Sequence, residues 1–118
     1  MTLGKNKRSA YIEGVKKFYV EHPQVIDFMA TQAVAARAIY RAIVEHLRVH
    51  GRLIEPDGKK IGDNLFEIRI TSRPPSRIIY CYAAGDSIFA AHAFTKKTQK
   101  TPLRELALAQ KRIRNFTS

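Results

Sequence analysis

The stretch Leu65-Phe-Glu-Ile-Arg-Ile70 decides the fold, because its residues alternate between two sides with a period of two. On one side of the pattern every residue is apolar, while Glu67 and Arg69 stand on the other. Alternation of this kind is typical of a β-strand with one buried and one solvated face. The stretch therefore predicts a half-buried strand with a polar outer face.

Two more strands follow directly. Pro74-Pro75 ends the first strand, and the stretch Arg77-Ile-Ile-Tyr-Cys-Tyr82 alternates again. Gly85-Asp86 is typical of a tight turn, and residues 88–94 are apolar apart from one histidine. Consecutive strands with short connections predict an antiparallel meander, with one face that a helix has to cover.

Helical patterns flank the meander on both sides. In residues 32–50 the apolar residues recur every three or four positions, and Gly51 is a natural stop, so a long amphipathic helix is predicted there. Pro23 suits the first turn of a shorter helix before it. Thr101 followed by Pro102 predicts the cap and first turn of a C-terminal helix.

The charge of the chain is strongly one-sided. The 118 residues include 21 Lys+Arg and 10 Asp+Glu, which gives a formal net charge of +11. Ten of the basic residues and only two of the acidic ones lie in residues 69–118. A field of one sign attracts polyanions, so nucleic acid or a nucleic-acid machine is the expected partner, and a merely solvated basic surface is the alternative.

Length and composition exclude several other classes. The length fits one domain, with residues 1–9 as a flexible basic tail and residues 10–118 as the domain. The longest apolar run has seven residues (78–84), far short of the ~20 that a membrane-spanning helix needs. No signal-peptide pattern follows the basic start, and one cysteine cannot form an intrachain disulfide. We therefore expect a cytoplasmic protein that does not contact a membrane.

No metal or cofactor is expected. His46 and His50 have the i, i+4 spacing of metal ligands on a helix, but no third ligand lies nearby in the sequence. A metal-free ribonuclease needs a base for the RNA 2′-OH, cations for the phosphate and an acid for the leaving oxygen. If the strands are adjacent, suitable groups converge on one side of the sheet. These candidate catalytic residues are Glu67, Arg69, Arg77, His92, Lys96 and Lys97.

Each proton-transfer candidate has a structural alternative. Glu67 can simply pair with Arg69 or with a cation on the neighbouring strand, and His92 can be a satisfied core histidine. Tyr80 and Tyr82 are weaker candidates, because they share a side with apolar residues and are expected to pack in the core. Further basic residues are candidates for contacts with RNA or the ribosome: Lys59, Lys60, Lys100, Arg104, Lys111 and Arg112.

At these residues the chain resembles a known family. The stretches Asn64-Leu-Phe-Glu-Ile-Arg-Ile70, Arg77-Ile-Ile-Tyr-Cys-Tyr82 and Ala91-His-Ala-Phe-Thr-Lys-Lys-Thr-Gln-Lys-Thr-Pro102 are similar to the RelE/ParE toxin superfamily, in its phage-derived, HigB-like branch. Residues 94–102 carry the most specific part, and the resemblance extends over roughly residues 11–114. It implies an α+β fold in which N-terminal helices pack on a twisted antiparallel sheet of three to four strands, followed by a C-terminal helix. It also implies that residues 11–20 contain a first strand.

The resemblance implies a toxin of a type II toxin–antitoxin pair, with a cognate helix-turn-helix antitoxin as partner. The RelE and HigB branches cleave mRNA on the ribosome without metal, which implies an endoribonuclease. The ParE branch acts on DNA gyrase, and an inactive nucleic-acid-binding phage accessory protein is a third alternative. By strand position, Arg69, Arg77 and Lys96 or Lys97 match the family's basic cleavage residues, and His92 matches a histidine of some HigB-type enzymes. A C-terminal stacking tyrosine is missing after Tyr82.

Overall fold

The computed structural model describes residues 16–117, so the predicted tail at residues 1–9 lies outside the described residues. The strands are β1 (Phe18–Glu21), β2 (Gly58–Gly62), β3 (Leu65–Ile70), β4 (Ser76–Ala83) and β5 (Ser87–Thr95). They form one five-stranded sheet in the order β1-β5-β4-β3-β2. The helices are α1 (Pro23–Ala30), α2 (Val34–His50) and α3 (Leu103–Thr117).

The predicted meander is confirmed. β3, β4 and β5 pair antiparallel, and their bounds contain the three predicted strand stretches. The register between β4 and β5 shifts between Ile79 and Tyr80, which marks a β-bulge. Near the start of β4, before the bulge, Arg77 pairs with Arg69 on β3 and with Phe94 on β5.

The sheet differs from the prediction in number and direction of strands. It has five strands, not three or four, and it is mixed, because β1 pairs parallel with β5. Two parallel strands must be joined by a connection that crosses from one end of the sheet to the other. Between β1 and β5 this connection contains α1, α2 and the strands β2 to β4. The implied first strand within residues 11–20 is observed from Phe18 onward, and residues 11–15 lie outside the described part of the chain.

β2 is the strand that the sequence did not predict. Its pattern begins with Gly58 in the cluster Glu55-Pro-Asp-Gly58, which is typical of a turn. In the structure the glycine is required for steric reasons, because a Cβ at position 58 would lie 2.6 Å from Leu53 Cβ. Glycine thus allows β2 to pass close to Leu53, and Lys59 and Lys60 become strand residues on the edge of the sheet.

The predicted helix ends are largely confirmed. Pro23 is the first residue of α1, and the His22 ring accepts a hydrogen bond from Gln24 N at 3.0 Å as the cap. α2 ends at Gly51 in the left-handed conformation with φ 79°. Thr101 does not have its predicted capping role, because its hydroxyl donates to Glu67 and α3 begins at Leu103, after Pro102.

Helices cover both faces of the sheet. α1 and α2 pack on the face that carries Ile68 and Ile78, and α3 packs on the face that carries Ile79. The prediction of a single covered face and a solvated outer face at β3 is therefore wrong. On this second face Glu67 is only 3% exposed. None of the helices within residues 16–117 is long and apolar enough to cross a membrane.

Candidate functional site

A carboxylate lies between two guanidinium groups on the face of the sheet that α3 covers. Strand alternation puts Glu67 and Arg69 on the same side of β3, and the antiparallel register puts Arg77 opposite Arg69. Glu67 Oε1 lies 3.2 Å from Arg69 Nε and 3.6 Å from Arg77 Nε. The predicted ion pair of Glu67 is thus confirmed, with a second cation on the neighbouring strand.

Arg77 is the most enclosed cation of this cluster, with a side chain only 11% exposed. Burial lowers its pKa, the Glu67 charge acts in the opposite direction, and Arg69 lowers it further. One terminal nitrogen donates to Ser76 O at 3.0 Å, while the buried Nε has no hydrogen-bond partner. Arg77 therefore keeps an unused donor beside the carboxylate.

The segment of residues 96–102, here named the lysine loop, closes over this cluster. Thr101 Oγ1 donates to Glu67 Oε2 at 3.0 Å, which fixes the far end of the loop. At the near end, Lys96 N donates to Pro75 O at 2.9 Å, and Lys96 Nζ donates to Thr98 O at 2.6 Å. The small void between the lysine loop, Glu67 and Arg77 measures only about 10 Å³, so the loop encloses the Arg77 side of the cluster.

Lys97 and Lys100 differ from Lys96 within the loop. Both are exposed, and neither ammonium has an ion pair or hydrogen bond to another residue in the described range 16–117. Lys96 therefore holds the shape of the loop, while Lys97 and Lys100 present their charges to solvent.

A groove of about 370 Å³ opens between the lysine loop and β2, and it is here named the basic groove. Glu67 and Arg69 form part of its wall, and Lys60 borders it although its ammonium lies over the Phe66 ring at 6.0 Å. The cationic residues that line the basic groove are Lys59, Lys60, Arg69 and Lys100. Such a cluster suits phosphate oxygens, and it suits still better a phosphorane-like transition state with additional charge.

His92 lies outside this cluster. Ile79 on β4 pairs with Glu67 on β3 and with His92 on β5. Glu67 and His92 are therefore two strand spacings, about 10 Å, apart. One His92 nitrogen, Nε2, lies 2.5 Å from Glu105 Oε1, and the other, Nδ1, lies 2.8 Å from a guanidinium nitrogen of Arg112. Arginine can only donate, so Nδ1 accepts the hydrogen bond from Arg112, while Nε2 carries the ring proton and donates a hydrogen bond to the Glu105 carboxylate.

The surroundings of His92 favour its neutral form. Burial lowers its pKa, Glu105 acts in the opposite direction, and the Arg112 charge lowers it again. With both ring nitrogens engaged and the residue 5% exposed, His92 has the contacts of the satisfied core histidine that the sequence offered as an alternative.

Arg112 has an internal role that its sequence position does not reveal. Besides His92, its guanidinium donates to Ala91 O at 3.2 Å and to Gln24 Oε1 at 3.3 Å. Gln24 in turn bonds both the backbone N and O of Ala93, at 2.9 and 2.7 Å. Gln24 and Glu105 were not among the predicted site residues, because only the fold brings α1, β5 and α3 together.

The other candidates lie elsewhere. Arg104 and Lys111 are exposed on α3. Tyr80 and Tyr82 pack on the opposite face of the sheet, where burial raises the pKa of both phenols. Phe116, near the C-terminus, stacks on Phe89 with ring centroids 4.0 Å apart. Within residues 16–117, no group of three or more His, Cys, Asp or Glu side chains is placed to hold a metal ion.

Comparison with known proteins identifies the family. The family described as "Phage derived protein Gp49-like (DUF891)" matches residues 27–114, and the chain belongs to it. This family is part of the RelE/HigB-like toxin superfamily and is associated with the toxins of toxin–antitoxin systems, which are commonly RNase-like and act with an antitoxin partner. The match begins within α1 and thus leaves β1 outside. No curated protein matches the chain.

Proposed function

We propose that the chain is the toxin of a type II toxin–antitoxin pair and a metal-independent, ribosome-dependent mRNA endonuclease. The observation that carries the proposal is the convergence of Arg69, Arg77 and the lysine loop around one buried carboxylate, beside an open basic groove. Family membership supports it, because the Gp49-like toxins are commonly RNase-like. A cognate helix-turn-helix antitoxin is the proposed partner, and the cytoplasm the proposed location.

The proposed reaction uses the nucleophile that RNA carries itself. The 2′-oxygen attacks the adjacent phosphorus, a 2′,3′-cyclic phosphate forms, and the bond from phosphorus to the 5′-oxygen breaks. Arg69 and Arg77 bind the non-bridging oxygens and stabilise the extra charge of the phosphorane. Glu67 takes the proton of the 2′-OH, and the ammonium of Lys96 or Lys97 gives a proton to the leaving 5′-oxygen.

The enclosure of Arg77 by the lysine loop gives a reason for dependence on the ribosome. Thr101 occupies one oxygen of Glu67, and the void beside it is too small for a phosphate group. The lysine loop therefore has to move before RNA reaches Arg77. We propose that docking on the ribosome, through Lys59, Lys60, Lys100 and the exposed cations of α3, moves the loop and positions the mRNA.

Induced expression with 5′-end mapping of cellular mRNA tests this function. The wild-type chain should arrest growth and produce cuts within translated regions. Arg69→Ala and Arg77→Lys should remove most cuts, because the first deletes a phosphate contact and the second loses the planar fork of donors. Arg41→Ala, on the exposed side of α2, is the matched control and should cut like the wild type.

Three results would count against the proposal. Unchanged cuts in folded Arg69→Ala and Arg77→Lys proteins would reject the site, with circular dichroism to verify folding. DNA breaks and filamentation without loss of mRNA would favour a gyrase-directed, ParE-like toxin. Harmless expression of the folded wild-type chain would favour an inactive nucleic-acid-binding accessory protein.

A further inference from the structure

A second and larger groove lies on the other side of the lysine loop. It measures about 670 Å³ and opens between the end of α1, the end of β5 and the start of α3. Here named the aromatic groove, it is lined by Phe28, Ala93, Phe94, Thr95, Lys97, Thr98, Pro102, Arg104 and Glu105. None of the roles assigned above uses Phe28 or the apolar part of this surface.

The aromatic groove and the Glu67–Arg77 cluster share a wall. Phe94 stands opposite Arg77 in the register of β4 and β5, and it lines both the aromatic groove and the void beside Glu67. Neighbouring strands lie about 4.8 Å apart. A ligand in the aromatic groove would therefore lie one strand away from the proposed phosphate site.

The rim of the aromatic groove is cationic. Lys97 and Arg104 are both exposed, and neither has a carboxylate partner within residues 16–117. The acidic residue of the lining, Glu105, is already bonded to His92 through Oε1. Phe28 is half-buried and offers ring surface at the base of the groove, whereas Phe94 is only 7% exposed and its ring stacks on that of His92, with centroids 5.7 Å apart. Exposed ring surface with unpaired cations at the rim is the combination that binds single-stranded nucleic acid, since bases stack on aromatic rings while cations contact the backbone.

We propose that the aromatic groove binds one unpaired RNA base next to the scissile phosphate, with Phe28 against the base and with Lys97 and Arg104 on the backbone. This inference rests on the proposed endonuclease function and names the part of the substrate that this surface holds.

A short 2′-O-methyl RNA that carries one 2-aminopurine tests the proposal without cleavage, because its 2′-oxygen cannot attack. Stacking should quench the 2-aminopurine fluorescence on binding, and an oligomer of equal charge with an abasic site at that position should bind about tenfold more weakly. Phe28→Leu, which keeps apolar volume but removes the ring, should lose most of the quenching and about tenfold in affinity.

The matched control is Phe18→Leu, the same exchange at a 66% exposed phenylalanine on β1, and it should behave like the wild type. Arg104→Gln should lower the affinity for the normal and the abasic oligomer by the same factor.

Three results would overturn the proposal: equal affinity of the wild type for the two oligomers, absence of binding, or unchanged quenching in Phe28→Leu. The last result would favour an occupant of the aromatic groove other than RNA, such as a segment of the antitoxin. Quenching by a protein that makes no cuts in cellular mRNA would support the base-binding groove and reject the nuclease function. Cuts in cellular mRNA without quenching would support the nuclease function and reject the base-binding groove.

Discussion

Glu67 is the residue on which the proposed site depends. Its carboxylate holds Arg69 and Arg77 within 3.6 Å on adjacent strands and also receives the Thr101 hydroxyl from the lysine loop. Without this carboxylate, the guanidinium groups of Arg69 and Arg77, which are paired across two strands, would repel each other where little water screens them. The same carboxylate therefore stabilises the fold and keeps two phosphate-binding groups in position.

Glu67→Gln should destabilise the protein by roughly 3 kcal/mol, because breaking a buried ion pair leaves Arg77 charged and desolvated. Urea denaturation at neutral pH measures this change. Glu45→Gln is the matched control, since Glu45 pairs with Lys16 and Arg48 at the surface and its loss should matter far less. Equal effects of the two variants would show that the buried cluster contributes no special stability.

Part of the arrangement around Glu67 could be predicted from the spacing of residues in the sequence. The i, i+2 spacing of Glu67 and Arg69 on a strand predicts that they share a side, and the short connection to the next strand predicts Arg77 nearby. The burial of Glu67 was not predictable, because the covering residues are more than thirty positions away in the lysine loop and α3. The partners of His92 were not predictable either, because Glu105 and Arg112 reach it only once α3 packs on the sheet.

At the scale of elements, α1, β5 and α3 are joined by a polar network rather than by apolar contacts alone. Gln24 of α1 bonds the backbone of Ala93, and Arg112 of α3 contacts both Gln24 and His92. Glu105 completes the network on the other ring nitrogen of His92. The network holds α3 in place, and α3 follows directly after the lysine loop.

This network predicts that stability falls as the pH drops below about 6.5. The folded-state pKa of His92 is lowered, chiefly by burial, and that of His22, which caps α1, is lowered for the same reason. The unfolded chain therefore binds more protons, and the stability present above pH 6.5 is lost as the pH falls toward the lower folded-state values. Thermal unfolding between pH 7.5 and 5 measures this slope.

His92→Gln should flatten the slope, because it removes the titrating ring while it keeps a polar side chain. His46→Gln, at an exposed position of α2, should keep the wild-type slope. If His92→Gln has the same pH dependence as the wild type, the buried histidine is not the group that titrates.

The elements themselves were predictable where one local pattern was sufficient. β3 and β4 follow from alternation, β5 from an apolar run after a turn, and α2 from helical periodicity with Gly51 at its end. β2 was missed because Gly58, required by the close approach of Leu53, has the sequence signature of a turn. The parallel pairing of β1 depends on a crossover between distant segments, which no short pattern encodes.

At the scale of the whole molecule, the net charge of +11 is concentrated by the fold. Ten basic residues of the C-terminal half lie on or after β3, and several of them meet at the end of the sheet where the basic and aromatic grooves flank the lysine loop. Arg41, the exposed arginine of α2, lies on the other face of the sheet. A ligand that binds by total charge would not distinguish these two regions, whereas one that binds at the grooves would.

Salt dependence separates the two possibilities. For single-stranded RNA, each neutralised phosphate contributes about −0.7 to the slope of log Kobs against log salt, so Lys97→Ala with Lys100→Ala should reduce the slope by about 1.4. Arg41→Ala with Arg52→Ala removes the same charge from exposed positions on and after α2 and should leave the slope unchanged. Titrations of a fluorescent oligonucleotide at several salt concentrations give these slopes. Equal reductions in both double variants would mean that RNA follows the overall field of the protein and not the lysine loop.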